Sequence, residues 1–325
     1  MARKPKFFQQ AIRSIAQRYP RELVQGMRRA DEHSHDPAEF ARDWERACGV
    51  VDAGGRPVAA WLGHCTVLVR LGGKTILTDP VLSSRIGVGI GPVTLGVRRI
   101  GLPPVLARDL PPIDVVLLSH PHFDHLDKPT LRAIKRPETV VITAKNTRRL
   151  IPRGFGAVHE IDWGGQQEIA GLNFSALRPA HWGARTAWDR HRGYNSYLIE
   201  GGNGKVLFAG DTAFTDAYDA IPGADLAIFG IGAYEPWIHH HASPEQVWTM
   251  FSAMRGTHLL PVHHSTFVLS AEPLNEPIER LLAVAGDRSH QVVAARPGDV
   301  IELEKLMRAG GRLDGAGPEM MRDGL

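Results

Sequence analysis

The segment Ile113–Asp127 reads IDVVLLSHPHFDHLD. Its first six residues are almost all apolar, which is typical of a strand buried on both faces of a sheet. His120, His122, Asp124 and His125 follow that strand at once, so four potential metal ligands fall within six residues. Imidazole and carboxylate groups are ligands that zinc prefers. The segment therefore predicts a buried strand whose carboxyl end carries part of a metal site.

Three more potential ligands each come just beyond an apolar segment that predicts a strand. They are His181, Asp211 and His263. His264 adjoins His263 and offers the same kind of ligand, so either one could complete the set. A lone histidine at the end of a strand is more often structural, but together with the first segment these residues predict a metal site with ligands from several strands.

Strand and helix patterns alternate from about residue 57 onward and predict an α/β fold with helices covering the sheets. Ser243-Pro244-Glu245-Gln246 combines an N-cap, a proline at the first helical position and a capping-box partner, which marks the start of a helix. The Gly- and Pro-rich stretch 82–112 is long for a connection and predicts a lid or binding loop. The predicted strands are Val58–Trp61, Thr66–Leu71, Thr75–Leu77, Ile113–Leu118, Thr139–Thr143, Phe174–Leu177, Ser196–Ile199, Val206–Phe208 and Leu226–Phe229.

Composition excludes several classes of protein. A net charge of +3 over 325 residues is too small to indicate nucleic-acid binding. No apolar run approaches the roughly 18 residues needed to span a bilayer, and no secretory signal is visible. The two cysteines, Cys48 and Cys65, show no spacing that predicts a disulfide framework or a cysteine zinc site. We therefore expect a cytoplasmic protein.

Residues 1–50 differ from the rest and predict a basic helical extension. The first thirty residues carry eight Arg and Lys side chains against one acid, Glu22, and apolar residues recur there at helical spacing. Such a helix either packs on the domain with a solvated charged face or makes peripheral contact with the inner membrane surface. We expect residues 51–307 to form the catalytic domain and residues 308–325 to form a flexible tail.

The ordered ligand set resembles that of the metallo-β-lactamase superfamily. More specifically, the chain is similar to the branch of N-acylphosphatidylethanolamine-hydrolysing phospholipases D and their bacterial relatives. The similarity covers about residues 57 to 270. The supporting segments are Trp61–Thr66, Leu77–Pro80, Ser83–Arg85, Phe208–Thr212, Gly232–Pro236 and His263–Phe267.

This resemblance implies a four-layered αββα sandwich and two Zn²⁺ ions, with iron or manganese able to use the same ligands. Three histidines, His120, His122 and His181, would hold the first ion. The second would be held by Asp124, His125 and His263, and Asp211 would bridge the two. Asp211 and Asp124 would be the catalytic carboxylates.

Four further residues receive roles from the same resemblance. Asp79 and His64 would lie behind the ligands and orient them, although both could simply be turn residues. His241 and Tyr234 would contact the substrate, although the loop around His241 could simply be solvated. The chain departs from the branch at His264 and at the residue after it, where an aromatic residue and a glycine are usual.

The implied activity is a phosphodiesterase acting on N-acyl phosphatidylethanolamine-type phospholipids through a hydroxide shared by two metals. A lactone or ester hydrolase of the same fold is the first alternative, and a non-catalytic metal-binding sensor is the second. The expected partner is a phospholipid or small-molecule substrate and no nucleic acid. The oligomeric state stays open.

Overall fold

Two large β-sheets, a two-stranded ribbon and four α-helices make up the part of the chain that the computed structural model describes, residues 37–51, 57–90, 93–186, 189–202, 204–293 and 295–303. Predictions for the first 36 residues, which include most of the basic extension, fall outside the described part, as does the predicted tail at 308–325. Within the described part, no helix is both long enough and apolar enough to span a bilayer.

The helices and strands have the following bounds. The helices are α1 (Pro37–Val51), α2 (Lys128–Ile134), α3 (Pro244–Ala253) and α4 (Glu276–Ala285). The strands are β1 (Val58–Trp61), β2 (Val67–Leu71), β3 (Lys74–Thr78), β4 (Arg85–Ile90), β5 (Val93–Arg98), β6 (Val115–Leu118), β7 (Val140–Ala144), β8 (Ala157–Ile161), β9 (Gln166–Ile169), β10 (Leu172–Leu177), β11 (Ser196–Gly201), β12 (Gly204–Phe208), β13 (Leu226–Gly230), β14 (His258–Val262) and β15 (Val300–Glu302).

The strand order of the two sheets decides which strand ends meet. One sheet has seven strands in the order β15-β1-β2-β3-β6-β7-β8, and the other has six in the order β14-β13-β12-β11-β10-β9. Antiparallel pairing of β1 with β2 and of β2 with β3, followed by parallel pairing of β3 with β6, points β1, β3 and β6 the same way. By the same reasoning β10, β12, β13 and β14 share one direction.

The two sheets pack face to face because their strands are apolar on both sides. In β2, Val67 and Val69 point into a core shared with Phe174 and Phe208 of the other sheet. The intervening Leu68 points to the opposite face of its own sheet. An apolar residue on each face requires a covering layer on each side, so a sheet of this kind cannot have one face in water.

Helices supply the outer layers. Phe40 and Trp44 of α1 join Leu131 of α2 in the core on the outer face of the seven-stranded sheet. Helices α3 and α4 cover the six-stranded sheet, with Phe251 and Leu281 among the buried residues. Ser243 caps α3 as predicted, since its hydroxyl accepts from the backbone N–H of Gln246 and the Gln246 side chain bonds back. The predicted α/β sandwich is confirmed.

The predicted boundary at residue 50 lies inside α1, whose buried Phe40, Trp44 and Ala47 share a core with β1. This part of the extension therefore follows the first of its two predicted alternatives, packing on the domain. The stretch 82–112, predicted as a lid or binding loop, contains the antiparallel hairpin of β4 and β5. Strands β8, β9 and β15 were not predicted. The polar sequence QQEI of β9 and the three-residue length of β15 explain why.

Candidate metal centre

The predicted ligands meet because the strands that precede them end at facing sheet edges. His64, Asp79 and the segment from His120 to His125 follow β1, β3 and β6, which share one direction. His181, Asp211 and His263 follow β10, β12 and β14, which also share one direction. Parallel strands bring their carboxyl ends to one edge, and this explains the clustering of residues far apart in sequence.

The first group joins His120, His122, His181 and Asp211, whose potential ligand atoms all lie within 4.8 Å of one another. Nε2 of His120 lies 2.8 Å from Nδ1 of His122, and Nε2 of His181 lies 3.5 Å from that same atom. Asp211 Oδ2 is 3.7 Å from His120 Nε2. The ring nitrogens therefore face one another around a common point.

The second group joins Asp124, His125, His263 and again Asp211, within the same 4.8 Å. Oδ2 of Asp211 lies 3.0 Å from Nε2 of His125 and 3.3 Å from Nε2 of His263. Oδ2 of Asp124 lies 3.5 Å from His263 Nε2. Asp211 is the member common to both groups, which is the position that the resemblance implies for a bridging carboxylate.

Several atoms in these groups are buried without a hydrogen-bond partner among the described residues. They are Nε2 of His125, Oδ1 of Asp211 and Nε2 of His263. A buried polar atom left unpaired costs about 1–3 kcal/mol, so several at one point call for a missing partner. Imidazole nitrogens and carboxylate oxygens suit zinc and related divalent cations. The residues present therefore fit a metal centre.

Asp79 orients ligands in both groups. Its carboxylate accepts from the backbone N–H of Ser119 at 2.7 Å, from the Ser119 hydroxyl at 2.5 Å and from Nδ1 of His125 at 2.6 Å. Because the Ser119 proton is used on Asp79, the Ser119 oxygen accepts from Nδ1 of His120, 2.8 Å away. Both histidines thus donate from Nδ1 and turn Nε2 toward the cluster.

His181 and His64 are held by different partners. Nδ1 of His181 donates to the backbone oxygen of His240 at 2.9 Å, which leaves its Nε2 free to face the first group. Nε2 of His64 lies 3.1 Å from Oδ2 of Asp124, and the backbone N–H of His64 donates to the hydroxyl of Thr266. The structure therefore places His64 behind Asp124, on the side where the resemblance put it.

Burial and charge act against each other on the pKa values here. Burial lowers the pKa of both His120 and His181, which favours neutral imidazoles able to bind metal. Burial raises the pKa of Asp211, but the neighbouring His125 and His263 outweigh that effect and hold it well below its usual range. The pKa of His125 stands well above its usual value, because Asp211 and Asp124 outweigh the effect of burial. The carboxylates are therefore ionised and ready to bind cations.

The two adjacent histidines 263 and 264 point in different directions. His263 belongs to the second ligand group, whereas His264 joins none of the groups found in the described residues. The His264 ring stacks on Trp61 at a centroid distance of 5.0 Å, and its Nδ1 lies 2.9 Å from the hydroxyl of Ser265. The geometry thus separates two residues that the sequence leaves interchangeable.

One face of the cluster is bordered by His241 and Trp182. Nδ1 of His241 lies 3.9 Å from Oδ2 of Asp211, and its side chain is 16% exposed. The His241 ring lies 5.2 Å from both the His181 and the His263 rings. The exposed Trp182 ring contacts His122 at 4.5 Å. Both side chains are thus partly exposed beside the ligand groups.

Tyr234 has surroundings that differ from its predicted role. The side chain is buried, its hydroxyl donates to Glu276 at 2.8 Å, and the Arg280 guanidinium lies 4.9 Å from its ring centre. These contacts tie β13 and its following turn to helix α4. The hydroxyl of Tyr234 is therefore used in a structural bond, and its contact with substrate stays a prediction.

Two residues that support the cluster were not predicted. Ser119 lies between β6 and His120, and its position directly before the first ligand is a usable signal. Arg185 carries no such signal, since it lies far along the chain. Its Nη1 donates to the backbone oxygens of Pro121 at 3.0 Å and Leu126 at 2.8 Å, and its guanidinium lies 4.1 Å from the Phe123 ring centre. Arg185 thereby braces the ligand-bearing turn.

The fold and the histidine–aspartate cluster together define a metal-dependent hydrolase. Comparison with known families agrees, because the profile of the beta-lactamase superfamily domain matches residues 74–264. The chain belongs to the metallo-β-lactamase superfamily, as the sequence motifs predict.

Similar proteins place the chain more finely within that superfamily. An uncharacterized protein of Mycobacterium tuberculosis is 32% identical over 277 residues, covering 78% of this chain and 70% of that protein. The N-acyl-phosphatidylethanolamine-hydrolyzing phospholipase D 1 of Caenorhabditis elegans is 31% identical over 245 residues, covering 69% and 68%. A solved structure from Veillonella parvula, described as a possible metal-dependent hydrolase, covers 75% of this chain and 98% of its own, with a TM-score of 0.61 and 17% identity. That last likeness concerns the fold alone.

Proposed function

We propose that this hydrolase is a phosphodiesterase that uses two Zn²⁺ ions to cleave N-acyl phosphatidylethanolamine-type phospholipids. The proposal is supported by the 31% identity to the nematode phospholipase D over more than two thirds of both chains. The reaction adds water to phosphorus, breaks the bond between phosphorus and the ethanolamine oxygen, and transfers a proton to that oxygen. Its products are a phosphatidic acid and an N-acylethanolamine.

The observation that carries the proposal is the shared position of Asp211. Its Oδ2 atom lies within 4 Å of His120 and His181 on one side and of His125 and His263 on the other. Two cations held by these groups would lie close together, in the arrangement known from two-metal phosphatases and nucleases. Such a pair suits an in-line displacement at phosphorus, because the attacking and the leaving oxygen are both stabilised.

The residues of the cluster and its surroundings would have distinct roles in this reaction. When bound, the two ions supply an activated water and stabilise negative charge on oxygen. Asp211 and Asp124 would hold the cations together with the five histidines, and Asp79 keeps His125 oriented. His241, 3.9 Å from Asp211, would donate a hydrogen bond to a phosphoryl oxygen. Trp182 offers an apolar surface beside His122.

The test measures both products from zinc-loaded protein. Purified full chain is incubated with N-acyl phosphatidylethanolamine in mixed micelles, and phosphatidic acid and N-acylethanolamine are quantified by mass spectrometry. We expect equimolar products from the wild type and a loss of at least 1000-fold in rate for Asp211→Asn. The matched control is Glu168→Gln, an exposed carboxylate on β9, and its rate should equal that of the wild type.

Two other outcomes would reject this substrate. Zinc-loaded protein that hydrolyses a lactone, thioester or carboxylic ester panel but no phospholipid would be an ester hydrolase of the same fold. Protein that binds metal at the same residues but hydrolyses nothing on either panel would be a sensor. The same Asp211→Asn variant is run in each panel, so that any activity is traced to the described cluster.

A further inference from the structure

The hairpin formed by β4 and β5 lies outside both large sheets and has one wholly apolar face. Ile86 is paired with Val97 and Val88 with Leu95, and residues paired directly across two strands share a face. Ile86 at the foot is buried against Val81 and Phe267. Val88 and Leu95, nearer the tip, are 54% and 58% exposed. The apolar face is therefore buried at Ile86 and exposed to solvent at Val88 and Leu95.

The opposite face of the hairpin bears almost no side chains near the tip. Gly87 is paired with Gly96 and Gly89 with Thr94, so Thr94 is the single side chain at those four positions. An added Cβ at Gly87 would lie 2.1 Å from the backbone oxygen of Leu95, so this pair cannot carry side chains without a shift of the ribbon. The described outer positions, 87–89 and 94–96, thus carry no charge, and Thr94 is the single polar side chain among them.

Positive charge surrounds the foot of the hairpin. Residues 80–108 contain four arginines and no acidic residue. Arg85 and Arg98 are paired at the foot, and both are exposed. Strands rise about 3.3 Å per residue, which puts this arginine pair about 10 Å below the level of Val88 and Leu95. Leu102, 76% exposed, follows shortly after β5.

We propose that this hairpin inserts its tip into the interface of an anionic lipid bilayer. The docking surface, hereafter the hairpin surface, consists of Val88 and Leu95 at the tip and Arg85 and Arg98 at the foot. The inference rests on the proposed phospholipid substrate. Insertion by the tip removes apolar side chains from water, and the arginines then lie at the depth of the phosphate groups. Positive charge without any acid in the segment is complementary to anionic lipid.

The foot of the hairpin is connected to the metal centre. The buried Arg99, directly after β5, donates to the backbone oxygens of Val81 and Leu62, and the latter lies two residues before His64. The Ile100 backbone N–H donates to the oxygen of Thr266. The Phe267 ring contacts both Ile86 and the His64 ring. Lipid bound at the hairpin surface would therefore contact an element whose base packs directly against residues of the metal centre.

Vesicle binding tests this directly and does not require turnover. Metal-loaded full chain is centrifuged with sucrose-loaded vesicles of phosphatidylcholine containing 30% phosphatidylglycerol (a composition chosen to be about one third anionic), and the bound fraction is measured. We expect at least a 10-fold loss of affinity for the double variant Val88→Ser/Leu95→Ser. The control is Val284→Ser on α4, another exposed apolar residue, which should bind as the wild type does.

A second pair of measurements examines the charge and the depth of insertion. Arg85→Gln/Arg98→Gln should lose most of the salt-sensitive binding to anionic vesicles and leave binding to pure phosphatidylcholine unchanged. The indole added in Leu95→Trp should fluoresce, and brominated lipid should quench that fluorescence when the hairpin inserts. This measurement does not rely on a variant whose lipid binding or folding has been weakened. Absence of such quenching, or wild-type protein that stays in the supernatant, overturns the proposal.

Two other occupants of the hairpin surface give distinct results. If a second copy of the chain covers it, the double serine variant lowers the mass measured by light scattering and still binds vesicles. If residues 1–36 cover it, the same variant lowers the melting temperature and still binds vesicles. Either result rejects lipid docking. Failure of the phospholipase proposal appears separately, as wild-type protein that binds vesicles and releases no phosphatidic acid.

Discussion

The carboxylate of Asp79 lies 2.6 Å from Nδ1 of His125 and also holds Ser119, whose hydroxyl in turn accepts from His120. One buried carboxylate thus fixes the ring orientation of a ligand in each of the two metal groups. A carboxylate accepts from all three donors at once, whereas an amide presents two hydrogens that would oppose one of them. Asp79 therefore influences both ligand groups, one through His125 directly and the other through Ser119.

Asp79→Asn should weaken the binding of both metal ions by about 10- to 100-fold. The reason is that His125 loses the carboxylate that sets its tautomer, and Ser119, which holds His120, loses the carboxylate that accepts its hydroxyl proton. Metal affinity is measured by competition with a chromophoric chelator. Ser119→Ala should affect only the group that contains His120, so the two variants differ in the number of ions weakened. Asp162→Asn, an exposed carboxylate paired with Lys145, is the control and should leave both affinities unchanged.

Arg185→Met should lower the free energy of unfolding by about 2–3 kcal/mol. The substitution leaves the backbone oxygens of Pro121 and Leu126 without their donor and removes the stacking on Phe123. For a chain of 325 residues that corresponds to a fall in melting temperature of about 3–4 °C. Arg185→Lys retains the charge but cannot reach both oxygens in the same planar geometry, so it should recover only part of the loss. Calorimetry that finds no difference between Arg185→Met and wild type contradicts the bracing role.

The adjacent residues His263 and His264 provide a matched pair of variants that tests which side chain binds metal. His263→Ala should reduce the bound metal from two ions per chain toward one, because it removes a ligand of the group that contains Asp124 and His125. His264→Ala should leave the metal content unchanged, since that ring stacks on Trp61 and faces away from the ligand groups. Elemental analysis of the dialysed proteins distinguishes them. Equal loss of metal in both variants would show that His264 also binds metal.

Trp44→Ala should lower the free energy of unfolding by about 3–5 kcal/mol, the usual cost of removing a large buried aromatic side chain. Trp44 is almost fully buried in the core that α1 shares with the seven-stranded sheet. Glu45→Ala, exposed on the same helix, is the control. Urea unfolding curves measure both. A small effect for Trp44 would mean that α1 is an appendage, as the predicted division at residue 50 implies.

The sequence predicts local features better than contacts between distant segments. The apolar run before His120 and the ligands after it are adjacent in sequence, so the strand and its ligand-bearing turn could both be predicted. Residue type and spacing leave His263 and His264 interchangeable, and only the resemblance favours His263, because their separation depends on a positive φ of 61° at His263 that turns the two rings apart. Arg185 was missed for a similar reason: its partners are backbone oxygens about 60 residues away, which no composition or spacing records.

The hairpin of β4 and β5 shows a second reason why part of the fold could not be predicted from the sequence. The glycine and proline content of residues 82–112 predicts a lid or binding loop but gives no indication of paired strands within it. The glycines instead recur at alternate positions on one face of a ribbon, where Gly87 and Gly96 allow the two backbones to approach closely. The side-chain period of a strand is present in the sequence, but only in the apolar residues between the glycines.

Each proposed ion takes ligands from both large sheets, with His120 and Asp124 following β6 and with His181 and His263 following strands of the other sheet. Neither half of the polypeptide therefore contains a complete binding site on its own. An emerging chain that has folded only its first half has no means of retaining an ion tightly. The absorption of bound cobalt, followed during refolding, would therefore report when the second half packs against the first. Metal binding would be among the last steps of folding.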